Sequence, residues 1–85
     1  MQTKTGDVVL LIMPGVSVVY LAEVRQDGEG FDTFKERFIA VSSGQALHDA
    51  QSITHVTGGR VLRWMNGATT PEIWPAATTG WHTQG

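Results

Sequence analysis

The side chains that most often bind metals or carry out catalysis are few in this chain. Histidines stand at positions 48, 55 and 82, and there is no cysteine. His48 and His55 lie about 10 Å apart along a predicted helix, whereas two ligands of one metal ion on a helix are about three or four residues apart. His82 belongs to the C-terminal segment. Because disulfides, Cys-bound zinc and thiol catalysis are also excluded, we predict no metal site and no cofactor.

Motifs for nucleophilic catalysis and for phosphate binding do not occur either. Ser42 and Ser43 stand outside any Gly-x-Ser-x-Gly elbow, and the N-capping of a helix explains at least one of them. The Gly58-Gly59 pair follows the predicted helix, which is the wrong end for an anion. The sequence therefore predicts a protein that is not an enzyme.

Acidic residues are concentrated between positions 27 and 36, where Lys35 is the only basic residue. A calcium-binding loop needs alternating oxygen ligands closed by a glutamate at its twelfth position, and this segment does not match that pattern. Two interpretations stay open. The segment is a solvated turn between strands, or it is an acidic patch that binds a basic protein surface by mimicking nucleic-acid phosphates. The candidate partner-binding residues are Asp27, Glu29, Asp32 and Glu36.

A second candidate site combines two arginines with an aromatic residue on one predicted strand. Arg60, Arg63 and Trp64 offer charge and stacking for a nucleic-acid strand. However, alternation along the strand places Arg60 and Arg63 on opposite faces. The chain also has only six lysines and arginines and a net charge of -2. Nucleic-acid binding is therefore kept as the alternative function.

The C-terminal segment, residues 68–85, places large apolar side chains in a sequence rich in Thr, Ala and Pro. Disordered segments rarely contain tryptophan, because its large apolar side chain is unfavourable when it remains in water. Ile73, Trp74 and Trp81 are thus expected either to pack back on the sheet or to anchor a partner or a second copy.

One helix and four strands must position these groups. Ser42 with Gln45 reads as a capping box, and Gly58 as the left-handed residue that ends the helix. Residues 8–13 form a continuous apolar run, which is typical of a strand buried on both faces. The other predicted strands cover residues 16–25, 34–41 and 60–65, and charged residues 35–37 suit an edge strand.

The predicted fold class is therefore α+β, a two-layer sandwich in the order β-β-β-α-β. A right-handed crossover through the helix brings the fourth strand beside the first. This gives a mostly antiparallel four-stranded sheet with strand order 3-2-1-4 and one helix on one face. We predict a single domain over residues 1–67, followed by a tail over 68–85. The second face then needs a cover, from the tail or from a second copy, and a homodimer is preferred.

The functional hypothesis is a small, non-catalytic protein–protein interaction module. A concrete version is an inhibitor of a nucleic-acid-processing machine, of the anti-restriction or anti-CRISPR type that mobile elements encode. A purely structural subunit is a third interpretation. No membrane association is expected, because the longest apolar run, residues 8–22, is broken by Pro14-Gly15 and is shorter than a span. The n-region of a signal peptide is positively charged, whereas this chain has Asp7 at the corresponding place. We therefore predict a soluble, cytoplasmic protein.

Overall fold

The computed structural model describes residues 2–69 and 71–74. These residues form one five-stranded mixed sheet, in the order β3-β2-β1-β4-β5, with one α-helix. Strands β1 and β4 are parallel, and the other neighbours are antiparallel. The elements in chain order are β1 (Val8–Ile12), β2 (Val18–Glu23), a 3₁₀ helix (Phe31–Phe34), β3 (Ile39–Ser42), α1 (Ser43–Thr57), β4 (Val61–Met65) and β5 (Glu72–Ile73).

The α+β class and the order of the first four strands are confirmed. The predicted four-stranded sheet lacked β5, a two-residue strand that lies within the segment predicted as a tail and pairs with β4. Beyond β5, the amide of Trp74 still donates to the carbonyl of Val61 at 2.7 Å. A strand this short carries no periodicity that a sequence pattern reveals. Trp81 lies outside the described residues.

The strand directions give the sheet two distinct ends. We call the end where β1 and β4 finish the upper end; it carries the turn at residues 13–17 and the start of α1. The lower end carries the N-terminal segment, the β2–β3 loop at residues 24–38 and the end of α1.

Helix α1 begins and ends where the sequence predicts, although the first turn is held differently. Ser42 is the N-cap but makes no side-chain capping bond, and the Gln45 amide donates to Asp49 at 2.9 Å instead. The predicted capping box is therefore wrong. Ser42 is also the last residue of β3, and the next amide, that of Ser43, donates to Ser17 at 2.8 Å. At the other end Gly58 is left-handed, with φ 75°, as predicted.

One face of the sheet, the helix face, packs against α1. Two alanines on the helix let it approach closely, because they add little bulk between helix and sheet. The fully packed residues of this layer are Val8, Leu10, Val19, Leu21, Ala46 and Ala50.

The opposite face, the loop face, is covered over its lower half by the β2–β3 loop. Phe34 is fully buried there against Val9 and Leu62, and Phe38 packs beside it. The prediction that residues 34–38 form the first half of a strand is therefore wrong, because the chain turns under the sheet to bury Phe34. Part of the cover that we expected from a tail or a second copy is thus supplied by this loop.

Candidate interaction surface

The lower end is built around a buried carboxylate. Asp7 is 2% exposed, and its carboxylate accepts hydrogen bonds from the Lys4 amide at 3.0 Å and the Arg60 amide at 2.8 Å. The Arg60 guanidinium adds an ion pair at 2.7 Å. Asp7 thereby fastens the start of β1 to the residue that precedes β4.

The backbones of these two segments meet without space for a side chain. A Cβ atom at Gly59 would overlap the carbonyl oxygen of Gly6, so only glycine fits there. The Thr57 hydroxyl donates to the same Gly6 carbonyl at 2.7 Å, which joins the end of α1 to the junction. Sequence reasoning gave neither Asp7 nor Gly59 a structural role. The available signals were an acid directly before an apolar strand and a second glycine after the helix end.

Both members of the Asp7–Arg60 pair stay charged near neutral pH. Burial alone would raise the pKa of Asp7, but hydrogen bonds from the Arg60 side chain and amide and from the Lys4 amide outweigh it and lower the pKa. The hydrogen bond to Asp7 raises the pKa of Arg60 further above its ordinary value. A general acid or base works best with a pKa near the operating pH, so this pair is suited to holding structure instead.

The acidic segment predicted as a partner-binding patch divides into two pairs. The Glu29 carboxylate bonds the Arg37 guanidinium at 2.7 Å and the Arg25 amide at 3.1 Å, and Asp27 accepts from the Thr5 amide at 2.7 Å. Asp27, Asp32 and Glu36 are exposed, and Asp32 forms an ion pair with Lys35 at 3.5 Å.

The pKa values of Glu29 and Asp27 reflect these bonds. Burial would raise the pKa of Glu29, but the bonds from Arg37 and the Arg25 amide lower it overall. Hydrogen bonds from the Thr5 amide and hydroxyl lower the pKa of Asp27. Both acids therefore contribute to holding the loop in place.

The three residues proposed for nucleic-acid contact lie in separate environments. Arg60 is held by Asp7 at the lower end, whereas Arg63 pairs with Glu72 at 2.8 Å and lies over the Trp74 ring at 4.9 Å. The Trp64 indole donates to the Ala68 carbonyl at 2.8 Å. The two guanidinium groups are therefore both engaged within the chain.

The proposed anchor residues at the β5 edge differ in exposure. Trp74 is 8% exposed, so its ring is part of the packed structure, whereas Ile73 is 46% exposed. Ile73 is the registered neighbour of Leu62 on β4. Of the anchors among the described residues, Ile73 is the one whose side chain is accessible to a partner.

The upper end contrasts with the lower end in having no charge over long stretches. Residues 8–22 and 38–48 contain no Asp, Glu, Lys or Arg. On the loop face, Leu11 is the registered neighbour of both Tyr20 and Trp64, and all three side chains are half-buried. Val16, in the turn between β1 and β2, is 52% exposed. We call this set, completed by half-buried Val18, the upper apolar surface: Leu11, Val16, Val18, Tyr20 and Trp64.

The part of the chain that the structure describes offers little for binding a metal ion or a small molecule. No group of three or more His, Asp or Glu side chains is placed there to hold a metal ion. A cavity of about 120 Å³ lies between Arg25, Arg37 and Ile39 at the lower end. Pockets for cofactors and drug-sized ligands are usually about 300–1,000 Å³, so this one is small for such a ligand.

In the part of the chain that the structure describes, the fold is a small α+β arrangement with one α-helix on a five-stranded mixed sheet, a charged lower end and an apolar surface at the upper end. Comparison with family models, with curated proteins and with solved structures found no match for the chain. Within residues 2–69 and 71–74, no helix has the length and hydrophobicity that a membrane crossing requires.

Proposed function

We propose that this chain is a small, non-catalytic protein-interaction module that binds another protein through its upper apolar surface. The observation that carries this proposal is the half-buried row of Tyr20, Leu11 and Trp64 across three neighbouring strands. Phe34 covers the lower half of the same face, whereas the side chains of this row are only half-buried, with the Trp64 ring 6.1 Å from that of Phe38. Contiguous exposed apolar patches on small proteins commonly mark interaction sites.

The composition of this surface supports a protein as the ligand. Tyrosine and tryptophan are enriched among residues that dominate binding energy, since each offers a large rigid area at a small cost in side-chain entropy. The depletion of charge across the upper end also matches the centre of protein interfaces. A partner would therefore present an apolar patch with few charges.

The finer version, an inhibitor of a nucleic-acid-processing machine of the anti-restriction or anti-CRISPR type, places the contact in the acidic segment. Asp27, Asp32 and Glu36 are the exposed members of that segment, but Asp27 accepts from the Thr5 amide, so Asp32 and Glu36 carry this version. We would reverse both charges with Asp32→Lys and Glu36→Lys and measure binding to a candidate machine. Unchanged binding would end this version and leave the interaction module intact.

Nucleic-acid binding receives less support as the alternative. It requires Arg60 and Arg63 to leave the carboxylates of Asp7 and Glu72. It also requires an affinity that falls steeply as salt increases, because phosphate contacts release counterions. Titration of a labelled single strand at two salt concentrations measures this directly.

Site-specific photo-crosslinking tests the proposed surface. A photoreactive residue replaces Val16 in one variant and Val56 in another; both valines are exposed, but Val56 lies on the outside of α1. In the native host extract, we expect position 16 to label a defined protein that position 56 does not label. The labelling should disappear in a folded Tyr20→Glu variant. Equal labelling from both positions, or labelling that survives Tyr20→Glu, would overturn the proposal.

A further inference from the structure

We infer that β3 is a dimerisation strand, through which two copies of this chain pair antiparallel and join their sheets into one. This inference rests on the proposed function, since it names a second copy as one of the partners of the module. It uses the outer edge of β3, which adjoins the upper apolar surface because Ala40 is the registered neighbour of Tyr20.

The hydrogen-bond pattern shows which backbone groups of β3 face away from the sheet. The Ser43 amide donates to the Ser17 carbonyl at 2.8 Å, in line with the antiparallel register of β3 on β2. Hydrogen-bonded and non-hydrogen-bonded pairs alternate along such a ladder. Val41 therefore bonds to β2, whereas the amide and carbonyl of Ala40 are directed outward, and Ala40 is exposed.

The two edges of the sheet are protected to very different degrees. Proteins usually blunt an exposed edge with charge, proline, shortness or a covering element. The β5 edge has two residues, one of them Glu72, and follows Pro71. The β3 edge, Ile39–Ser42, has four residues with neither charge nor proline, and its Ile39 is 64% exposed. Among the described strands, β3 is thus the edge open to pairing.

The sequence of β3 complements itself when it runs antiparallel to a second copy. With Ala40 opposite Ala40 of the second copy, the two residues exchange both backbone hydrogen bonds at a two-fold axis. Ile39 then lies opposite Val41 of the second copy on the helix face, and the symmetry repeats this contact. Cross-strand pairs of β-branched residues stabilise a sheet. The pairing would cover the exposed Ile39 without bringing a polar group against it.

The charges that flank β3 also suit this arrangement. Residues 35–37 are charged but precede β3, whereas the residues that pair, 39–41, are uncharged in both copies. Like charges are therefore not brought together. Because the β5 edge is protected on both copies, the assembly stops at two chains instead of growing into a fibre.

A single introduced cysteine tests the pairing cleanly, because the chain contains none. Opposed residues of a hydrogen-bonded antiparallel pair have Cα atoms about 5.5 Å apart, within the range that a disulfide spans. Under mild oxidation we expect Ala40→Cys to form a covalent dimer at least about tenfold faster than Val56→Cys, whose site is 84% exposed on α1. Equal rates for the two variants would overturn the inference.

Proline substitution tests the same strand without a cross-link. Ala40→Pro removes an amide that faces outward, so the fold should be retained while the dimer is lost. Light scattering over a dilution series should give twice the chain mass for the native protein and a single chain mass for Ala40→Pro. Val41→Pro, in contrast, removes a ladder bond to β2 and should lower the melting temperature. A dimeric Ala40→Pro variant would contradict the inference.

The remaining outcomes also decide between occupants of the edge. A native protein that is monomeric at all concentrations, with a slowly exchanging Ala40 amide, would mean that another segment of the same chain covers β3, and the inference would fail. Masses that grow with concentration would overturn the two-fold closure. Photo-labelling from position 16 that persists in Ala40→Pro would leave the proposed function standing, so the two failures are distinguishable.

Discussion

The two ends of this sheet differ in how their side chains are used: those at the lower end bond within the chain, and those at the upper end leave apolar area partly exposed. At the lower end, Asp7, Arg60 and Glu29 are each bonded within the chain, and the backbone of Gly59 contacts that of Gly6. Towards the upper end, residues 8–22 and 38–48 carry no charge, and the row through Tyr20 and Leu11 is half-buried. This difference indicates that the polar lower end helps to hold the fold together, whereas the upper apolar surface is partly exposed and can associate with a partner.

The largest expected effect comes from the backbone contact at the lower end. Gly59→Ala would push a methyl group into the Gly6 carbonyl, so we expect a loss of about 4 kcal/mol or more in the free energy of unfolding. Gly44→Ala is the matched control, since its Cβ meets nothing within 4 Å on the helix. That change should stabilise the protein by about 0.5–1 kcal/mol. Urea denaturation of both variants measures the contrast, and equal stabilities would refute the contact.

The next effect concerns the buried ion pair. Asp7→Asn leaves the Arg60 side chain, which is 33% exposed, without its anionic partner, so the cost should be lower than for a fully buried pair, about 2 kcal/mol. Glu72→Gln breaks the exposed pair with Arg63 and should cost less than about 1 kcal/mol. Chemical denaturation of the two variants compares them. A smaller loss for Asp7→Asn than for Glu72→Gln would show that the lower end does not fix the fold.

Acid should weaken the lower end in a defined direction. The pKa of Asp7 is lower in the folded protein than in the unfolded chain, because the bonds from Arg60 and Lys4 outweigh burial. Its stabilising contribution is therefore complete above the unfolded value of about 3.9 and is lost as pH falls through the folded pKa. The difference in unfolding free energy between the native protein and Asp7→Asn should be constant from about pH 7 to 5 and shrink below about pH 4. A constant difference down to about pH 2 would rule this out.

The smallest expected effect belongs to the upper end. Val16→Lys changes an accessible side chain in a turn, so stability should stay within about 0.5 kcal/mol of the native protein. Val56→Lys on the outside of α1 should behave in the same way. Thermal unfolding of both variants checks this. A large loss for Val16→Lys alone would show that the upper end also maintains the fold, and the contrast between the two ends would be wrong.

The main features of the fold could be predicted from local patterns. The apolar run at residues 8–13 indicated a central strand, and β1 does lie between β2 and β4. The left-handed Gly58 marked the end of α1. The short, right-handed connection through one helix then limited the order of the first four strands to the one observed.

The candidate surfaces were less predictable, because they depend on contacts between distant residues. The acidic segment was visible in the sequence, yet its Glu29 is held by Arg37 and by the amide of Arg25. The β3 edge was recognised as an edge but predicted to be charged, because residues 35–37 were placed within the strand. In the structure those residues precede β3, which leaves the strand itself uncharged.

The sequence by itself determined the order of the first four strands and the helix, the helix end and the segregation of charge along the chain. These features follow from periodicity, glycine conformation and composition, which are local properties. Only the tertiary structure decided that Phe34 would cover half of the loop face and that Asp7 would bond Arg60. The reason is physical: burying a phenylalanine or a carboxylate requires partners from other segments, and no local pattern specifies which segments will meet.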